Sequence, residues 1–295
     1  MFSRAGSHGA RSTIWKAALA SIALGGAAYY YNEHSRSHGI LDNGRYIPLK
    51  VHSQCQVTHD TWKLRLELKK KPRSFPVPSS VYIKDDSIQI MRPYTPINDP
   101  SVDGHIDLLV KRYEQGSISK MLCRSKPGED VFVRGPMVEF EYPTAAYKHV
   151  AMIAGGTGIT PMYQLIRHIL SDPKECQTKM TLIYANKTEQ DILLRNELAD
   201  LEKQHPDRLD IHYTLDHPSD QWRGDHGYVS LDMVRKHLPV PSTNGAPNTD
   251  IFVFVSGPEA MLRHVSGDRA RDWSQGKVQG LLKMMGYDEN QVWKF

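Results

Sequence analysis

Apolar and polar residues alternate along several short segments in the first half of the chain. The alternation is found in residues 62–68, 81–83, 87–91, 105–110 and 131–133. Proline and glycine lie between these segments, as expected for turns that join half-buried strands. Many short strands at regular spacing predict a small antiparallel β-barrel or sandwich, which we assign to residues 45–143.

The pattern changes near residue 143, where the apolar runs become continuous. Runs typical of buried strands follow at residues 149–154, 180–185, 211–215 and 251–255. Residues 161–170 show the apolar spacing of an amphipathic helix, and residues 191–203 are predicted to form a second helix. Strand alternating with helix predicts a parallel sheet covered on both faces, so we predict an α/β domain over residues 144–295.

The start of the chain differs in composition from the rest. No acidic residue occurs before Glu33, and residues 17–31 form an apolar run that ends in three tyrosines. A basic, acid-free start is typical of a mitochondrial presequence, and the run, extended back to Ile14, just reaches the length of a membrane span. We expect residues 1–32 to be a presequence and a retained single-pass anchor, and residues 33–44 a polar tether. The membrane would be the mitochondrial inner membrane, with the protein facing the intermembrane space, or the outer membrane. A cleaved secretory signal peptide is the alternative.

Composition limits the classes of partner. The length of 295 residues suits two domains, and a net charge of +4 is too small to favour nucleic acid. Cys55, Cys123 and Cys176 are far apart and odd in number, which argues against a disulfide framework and a zinc site. None of the 14 histidines falls in a metal-ligand spacing. We therefore expect no metal site. The protein is also expected to be a monomer.

A glycine-rich turn lies between the first buried strand of the second domain and the helix that follows. It reads Ala154-Gly155-Gly156-Thr157-Gly158-Ile159-Thr160-Pro161-Met162. Glycine lets the backbone come close to a ligand, and the helix N-terminus offers unpaired N–H groups to a phosphate. Pro161 stands where the dinucleotide fingerprint has its third glycine. The motif predicts a phosphate-binding turn, with a tight corner that binds nothing as the alternative.

The run Arg92-Pro93-Tyr94-Thr95-Pro96 lies on a strand of the first domain. Arginine presents a rigid fork that can grip a pyrophosphate, and a tyrosine between prolines is held ready to pack on a planar ring. The threonine hydroxyl can exchange a hydrogen bond with a ring nitrogen. A kink in an edge strand is the alternative interpretation.

A third motif, Gly116-Ser117-Ile118-Ser119, follows Lys111 and Tyr113. Taken alone, a serine-rich helix start is most often an ordinary N-cap.

In this order, with Ser256-Gly257-Pro258 after the last buried strand, the motifs resemble those of the NADH-cytochrome b5 reductases, within the ferredoxin-reductase-like flavoproteins. The resemblance covers residues 44–295, and residues 281–295 are similar to the ending of the fungal mitochondrial members. It implies an FAD-binding β-barrel followed by a Rossmann-like NADH-binding domain. It also implies an enzyme that takes hydride from NADH onto FAD and passes single electrons to a haem protein such as cytochrome b5.

The resemblance implies roles for individual residues. Thr95, near flavin N5, and Ser256, beside the nicotinamide, take the catalytic positions, and Asp191 would repel the extra phosphate of NADPH. The implied FAD-binding residues are Arg92, Pro93, Tyr94, Thr95, Leu109, Lys111, Tyr113, Gly116, Ser117, Ile118, Ser119 and Thr160. The implied NAD-binding residues are Gly155, Gly156, Thr157, Gly158, Ile159, Pro161, Met162, Asp191, Ser256, Gly257, Pro258 and Met261.

The chain also departs from the family pattern. Ser256-Gly257-Pro258 stands where the family usually has Cys-Gly-Pro, and Gly116-Ser117-Ile118-Ser119 replaces Gly-Lys-Met-Ser. Pro78-Ser79-Ser80 replaces Gly-Gln-His. These departures bear on the electron acceptor more than on the flavin or the fold. They favour, as an alternative function, a mitochondrial flavoprotein reductase that assists cytochrome c haem attachment. A non-enzymatic NADH-sensing protein is a third possibility.

The basic run Lys69-Lys70-Lys71-Pro72-Arg73 allows two interpretations. It could steer an acidic partner by charge, or it could be a solvated loop.

Overall fold

The computed structural model describes residues 41–85, 89–241 and 250–295. The predicted anchor, residues 1–32, and most of the predicted tether lie outside the described residues. Within the described ranges, no helix is both long enough and apolar enough to cross a bilayer.

The first domain is an antiparallel sheet with two short helices. Its strands are β1 (Ile47–Thr58), β2 (Thr61–Glu67), β3 (Ser79–Asp85), β4 (Ile90–Tyr94), β5 (His105–Lys111) and β6 (Asp130–Val138). The helices are α1 (Pro100–Asp103) and α2 (Ser117–Leu122). The six strands lie in the order β4-β3-β6-β1-β2-β5, and every neighbouring pair is antiparallel. The edge strands β4 and β5 lie near each other, so the sheet curls around an apolar core.

The alternation pattern missed β1. Its first residues Ile47, Leu49 and Val51 point inward, but the second half of the strand is polar and largely exposed. The strand forms because its backbone pairs with β6 on one side and β2 on the other. The strand predicted at residues 87–91 begins instead at Ile90, which places Arg92 inside the strand.

The second domain is a parallel sheet flanked by helices, as the sequence predicts. Its strands are β7 (His149–Gly155), β8 (Lys179–Asn186), β9 (Leu209–Leu215), β10 (Asp225–His226), β11 (Ile251–Ser256) and β12 (Val292–Lys294). Its helices are α3 (Ile159–Ser171), α4 (Arg195–Gln204), α5 (Leu231–His237), α6 (Glu259–Val265) and α7 (Gly280–Met284). The strand order is β10-β9-β8-β7-β11-β12, with all pairs parallel.

The helix predicted at residues 191–203 begins later than expected. A 3-10 turn spans Glu189–Asp191, where the side chains and backbones of Thr188 and Asp191 cap each other. Leu194 then adopts a left-handed backbone with φ 57°, and α4 starts at the next residue. The reciprocal cap begins a separate short turn, so the longer helix starts only after Leu194.

At the β12 edge of the second sheet, a side chain pairs with the backbone of the edge strand. Gln275 donates through Nε2 to the carbonyl oxygen of Lys294 at 3.1 Å and accepts from the Lys294 backbone N–H at 2.6 Å. The Lys294 side chain is fully buried, and its ammonium donates to the carbonyl oxygens of Asp268 and Lys277. Residues 268–277 are thereby fixed against β12.

One apolar cluster joins the two domains. Ile97 and Leu109 of the first domain are buried in the same cluster as Met162, Tyr163 and Leu165 of α3. α3 also bonds to the segment that follows β4, through Pro96 and Ile97.

Candidate active site

The sheet of the second domain reverses its strand order between β7 and β11. From β7 the chain adds β8, β9 and β10 on one side, and then crosses to β11 on the other. In open α/β sheets, ligands bind at the carboxyl ends of the strands at such a switch point. Both predicted nucleotide motifs lie here, because the glycine turn follows β7 and Ser256-Gly257-Pro258 ends and follows β11.

The glycine turn packs tightly against the end of β11. A β carbon on Gly158 would lie 2.2 Å from the carbonyl oxygen of Ser256, and one on Gly155 would lie 2.5 Å from Sδ of Met261. Gly156 is different: its φ is +53°, and a β carbon there would meet no atom within 4 Å. The turn is thus packed against Ser256 and Met261 at Gly158 and Gly155, and it is open at Gly156.

The residues after the glycines divide between the turn and the core. Thr160 donates through Oγ1 to the Thr157 carbonyl oxygen at 3.1 Å, which steadies the first turn of α3. Ile159, Pro161 and Met162 are buried under that turn. These three side chains therefore support the backbone of the turn, and the surface open to a ligand is the backbone itself.

Ser256 is the last residue of β11 and pairs in register with Ala154 of β7. Its side chain is buried, with the residue 8% exposed. The next residue, Gly257, is also closely packed, since a β carbon there would come within 2.9 Å of Met261 Sδ and 3.3 Å of the Gly155 α carbon. Ser256 and Gly257 therefore pack directly against the glycine turn and close it on the side of β11.

Thr157 is the non-glycine residue at the centre of the turn, and it is partly exposed beside the glycines. The Gly156 carbonyl oxygen next to it accepts a hydrogen bond from the Tyr184 hydroxyl at 3.0 Å. Burial raises the pKa of the Tyr184 phenol, so the group stays protonated and remains a donor. This bond holds the turn from the side of β8.

The R-P-Y-T-P run forms the outer edge of the first domain's sheet. Arg92 and Pro93 of β4 are exposed, and the Arg92 guanidinium donates only to the neighbouring Met91 carbonyl oxygen at 2.8 Å among the contacts of the described residues. Tyr94 is partly buried, and this burial raises the pKa of its phenol. Thr95 follows the strand, and Pro96 after it is buried against α3.

The third predicted motif forms a compact helix start. Gly116 is the N-cap of α2, and a β carbon there would lie 2.5 Å from Ser119 Oγ. Ser119 Oγ donates to the Gly116 carbonyl oxygen and accepts from the Tyr113 backbone N–H, both at 3.2 Å. Ile118 is buried in the core of the first domain. Ser119 and Ile118 therefore shape the turn from inside, whereas Tyr113 is 53% exposed.

Lys111 and Asp191, which the sequence assigned to different cofactors, contact each other across the domain interface. The Lys111 ammonium lies 2.8 Å from Asp60 Oδ2 and 3.2 Å from Asp191 Oδ1. Burial opposes the charge on each group, but the hydrogen bonds and opposite charges outweigh it. They raise the pKa of Lys111 and lower the pKa values of Asp60 and Asp191. All three groups are therefore charged at neutral pH.

The same cluster is the one place in the described part of the chain where metal-ligating atoms gather. His59, Asp60 and Asp191 bring one ligand atom each within 4.8 Å of one another. The Lys111 ammonium already contacts both carboxylates, so the charge that a metal ion would supply is present. The sequence did not indicate this cluster, because its members come from different domains.

Two family models match the two domains in turn. One described as an oxidoreductase FAD-binding domain matches residues 48–142, and one described as an oxidoreductase NAD-binding domain matches residues 152–267.

Curated relatives extend the match to most of the chain. The NADH-cytochrome b5 reductase 2 of Neurospora crassa is 40% identical over 256 residues, which cover 85% of this chain and 73% of that protein. The NADH-cytochrome b5 reductase-like protein of Arabidopsis thaliana is 36% identical, over 94% of this chain and 89% of that protein. The chain belongs to the NADH-cytochrome b5 reductase family. It is an NADH-dependent oxidoreductase whose cofactors are FAD and NADH.

A solved structure shows the same two-domain fold. The cytochrome b5 reductase domain of Ulva prolifera nitrate reductase aligns with a TM-score of 0.73 and 31% sequence identity, covering 86% of this chain and 99% of that domain. The ferredoxin-reductase-like arrangement expected from the sequence is therefore confirmed for the described residues.

The described residues fit both cofactors of the family. The open side of the glycine turn at Gly156 leaves room for a pyrophosphate, and the turn lies at the N-terminal end of α3, where the helix dipole favours an anion. The exposed Arg92 on an edge strand can grip a second pyrophosphate, and the protonated phenol of Tyr94 can pack beside a ring system. When bound, NADH and FAD supply the hydride donor and acceptor, and the protein supplies orientation and electrostatics.

The sequence missed two residues that join these sites. Gln164 and Arg167 on α3 hydrogen-bond to backbone atoms of the first domain. The helical pattern identified the apolar face of α3, but it could not show what covers the opposite face. The partners of Gln164 and Arg167 lie in the other domain, so these contacts can be identified only from the structure of both domains.

Proposed function

We propose that this reductase passes electrons one at a time from its flavin to a haem protein of the cytochrome b5 type. The observation that carries the proposal is that the R-P-Y-T-P edge strand meets the helix that begins at the glycine turn, through the bond from Gln164 to Pro96. A flavin on that strand and a nicotinamide at that turn would face each other, as hydride transfer requires. The names of the relatives support cytochrome b5 as the acceptor.

Acceptor assays test this function. Purified protein should reduce cytochrome b5 with NADH and show the stoichiometry of two haems per NADH that single-electron transfer implies. The alternative function, assistance to cytochrome c haem attachment, is favoured by Ser256 in place of the family cysteine. A protein that reduces haem–cytochrome c substrates but leaves cytochrome b5 oxidised would support the alternative instead.

The residue roles implied by the family resemblance belong to the same proposal. Residues 45–143 form the flavin domain and residues 144–295 the NADH domain in this division. Arg92, Tyr94 and Thr95 would hold the flavin, and the glycine turn with Ser256 would hold the nicotinamide nucleotide.

The flavin should be FAD and not FMN. Gly116 with its helix start would serve the AMP half of FAD and would have no ligand in an FMN enzyme. Acid release of the flavin followed by chromatography gives a direct measurement. Recovery of FMN alone would contradict the assignment.

NADH should be preferred over NADPH, and Asp191→Thr should narrow the difference in kcat/KM by roughly tenfold, about 1.4 kcal/mol. Thr188 and Lys111 hold the carboxylate ionised, and Asp191 and Asp60 together outweigh the single charge of Lys111, so the cluster would repel a 2′-phosphate. Its removal also leaves Lys111 with one carboxylate partner fewer.

Asp60→Asn is the comparison variant. It removes the other carboxylate beside Lys111 and keeps Asp191, so the NADH to NADPH ratio should change less than in Asp191→Thr. A natural protein that uses both nucleotides equally well would show that Asp191 does not select the cofactor.

We also propose that residues 1–32 anchor the protein to a mitochondrial membrane in a single pass. After alkaline carbonate extraction, the full-length protein should stay in the membrane pellet, because a spanning segment is not released by high pH. A variant without residues 1–32 should appear in the supernatant. Release of the full-length protein would show that the segment is not an integral anchor.

A further inference from the structure

The helix that begins at the glycine turn also holds the first domain. Gln164 lies in the second turn of α3 and is 6% exposed. Its Oε1 accepts from the Ser79 backbone N–H at 2.8 Å, and its Nε2 donates to the Ser79 carbonyl oxygen at 3.3 Å. One side chain of the second domain thus pairs with both backbone groups of a residue at the start of β3.

The second donor hydrogen of the same amide reaches the R-P-Y-T-P run, to which the proposed function assigns the flavin. Gln164 Nε2 also lies 3.3 Å from the Pro96 carbonyl oxygen, and Pro96 follows Thr95 directly. Arg167, three residues further along α3, donates through Nη1 to the Ile97 carbonyl oxygen at 3.0 Å. Two consecutive carbonyl groups after Thr95 are therefore held by one helix.

The chemistry of this contact requires an amide. A primary amide offers one acceptor and two donors, which is what one backbone N–H and two carbonyl groups need. A carboxylate can accept but cannot donate when ionised, and an aliphatic side chain can do neither. Since these groups are buried, leaving any of them without a partner is costly, and the contact therefore fixes one geometry.

We propose that Gln164 is a positioning residue that sets the distance between the flavin and the nicotinamide. The proposal rests on the placement of the flavin on the R-P-Y-T-P strand given under the proposed function. α3 starts at the turn assigned to the nicotinamide nucleotide and holds, through Gln164, the residue after Thr95. A rigid helix therefore connects the two halves of the reaction site. Domains of one chain move relative to each other unless their interface prevents it, and a displacement of about 1 Å can slow a reaction on the order of a hundredfold.

If Gln164 only held the domains together, its loss would separate or unfold them and would not specifically slow the hydride step. Ile97 and Leu109 already bury apolar surface against α3, so the domains would stay associated without the amide. Loss of Gln164 should then change the reaction geometry more than the folding of either domain. The readout that separates the two roles is the hydride step itself.

The test is single-turnover reduction of the flavin by NADH in the full-length holoenzyme. Gln164→Leu keeps the approximate size and removes all three hydrogen bonds. We expect flavin reduction to slow by ten- to a hundredfold at saturating NADH, with unchanged FAD content. With NADH deuterated at the transferred position, the isotope effect should rise, because the hydride step then limits the observed rate.

Ile166→Val is the control for a loss of packing on the same helix. Ile166 lies on α3, is fully buried in the apolar cluster beneath the helix, and makes none of the contacts to Ser79 or Pro96. It should lower the thermal stability while leaving the flavin reduction rate and the isotope effect unchanged. If Ile166→Val slows flavin reduction as much as Gln164→Leu, or if Gln164→Leu reduces the flavin at the natural rate, the proposal is overturned.

A second variant decides the matter if Gln164→Leu does not fold. Gln164→Glu keeps the acceptor for the Ser79 N–H and loses both donated bonds, so flavin reduction should again be slower than in the natural protein. An unchanged rate in this variant would overturn the proposal. Electron transfer from the reduced flavin to cytochrome b5 is measured separately, so failure of the proposed acceptor leaves this test intact.

Discussion

Gly158→Ala is expected to slow NADH-dependent flavin reduction by about a hundredfold or more. A β carbon at this position would lie 2.2 Å from the Ser256 carbonyl oxygen, 2.5 Å from the Ser256 carbonyl carbon and 2.9 Å from the Gly257 nitrogen. All three are backbone atoms, so the collision is relieved only if the turn moves away from β11. Such a movement opens the switch-point crevice, and a shift of about 1 Å is enough for a loss of this size. Stopped-flow absorbance of the flavin under single-turnover conditions measures the effect.

Gly156→Ala is the matched comparison within the same turn. Gly156 has a φ of +53°, but a β carbon there would meet no atom within 4 Å. The substitution adds backbone strain of about 1–2 kcal/mol without a collision, so its effect on flavin reduction should be clearly smaller. Equal losses in the two variants would show that contact with Ser256 does not determine the shape of the crevice.

Ser256→Cys is expected to speed flavin reduction by roughly tenfold. The position ends β11 beside the glycine turn, where the family usually has a thiol, and Ser256 is 8% exposed. Sulfur is larger than oxygen, so a thiol occupies more volume than a hydroxyl beside the proposed hydride path. Since small displacements have large effects on such a step, the restored volume should bring the reactants closer. FAD content and thermal stability should change little.

Ser266→Cys controls for the chemical replacement alone. Ser266 is also buried, but it lies at the end of α6, where its hydroxyl donates to the Leu262 carbonyl oxygen. Flavin reduction should keep its natural rate in this variant. Equal rates for Ser256→Cys and the natural protein would mean that Ser256 is a neutral replacement. Ser256 would then no longer favour a role in cytochrome c haem attachment.

The sequence predicted the two sheets because most of their strands carry their own pattern of apolar residues. Alternation marked β2 and β5, and continuous apolar runs marked β7 and β8. β1 was missed because its polar second half is stabilised by backbone pairing with β2 and not by apolar side chains.

The contacts between domains were beyond the reach of sequence patterns. Lys111 and Asp191 are 80 residues apart, and Gln164 is 85 residues from Ser79, so no local spacing relates the partners. Local motifs could assign each residue to a ligand, but they could not show that Lys111 and Asp191 are also partners of each other. The candidate site was therefore predicted as two separate halves, and the structure supplies the connection.

The side chain of Gln275 has a consequence for self-association. An edge strand normally presents unpaired backbone groups that can template the addition of a strand from another molecule. Beside β12, the Gln275 amide takes the place of that missing neighbour by exchanging both hydrogen bonds with Lys294. A foreign strand would have to displace this amide and the segment that carries it before it could extend the sheet. At Lys294, this edge of the sheet is thus covered against the addition of a further strand.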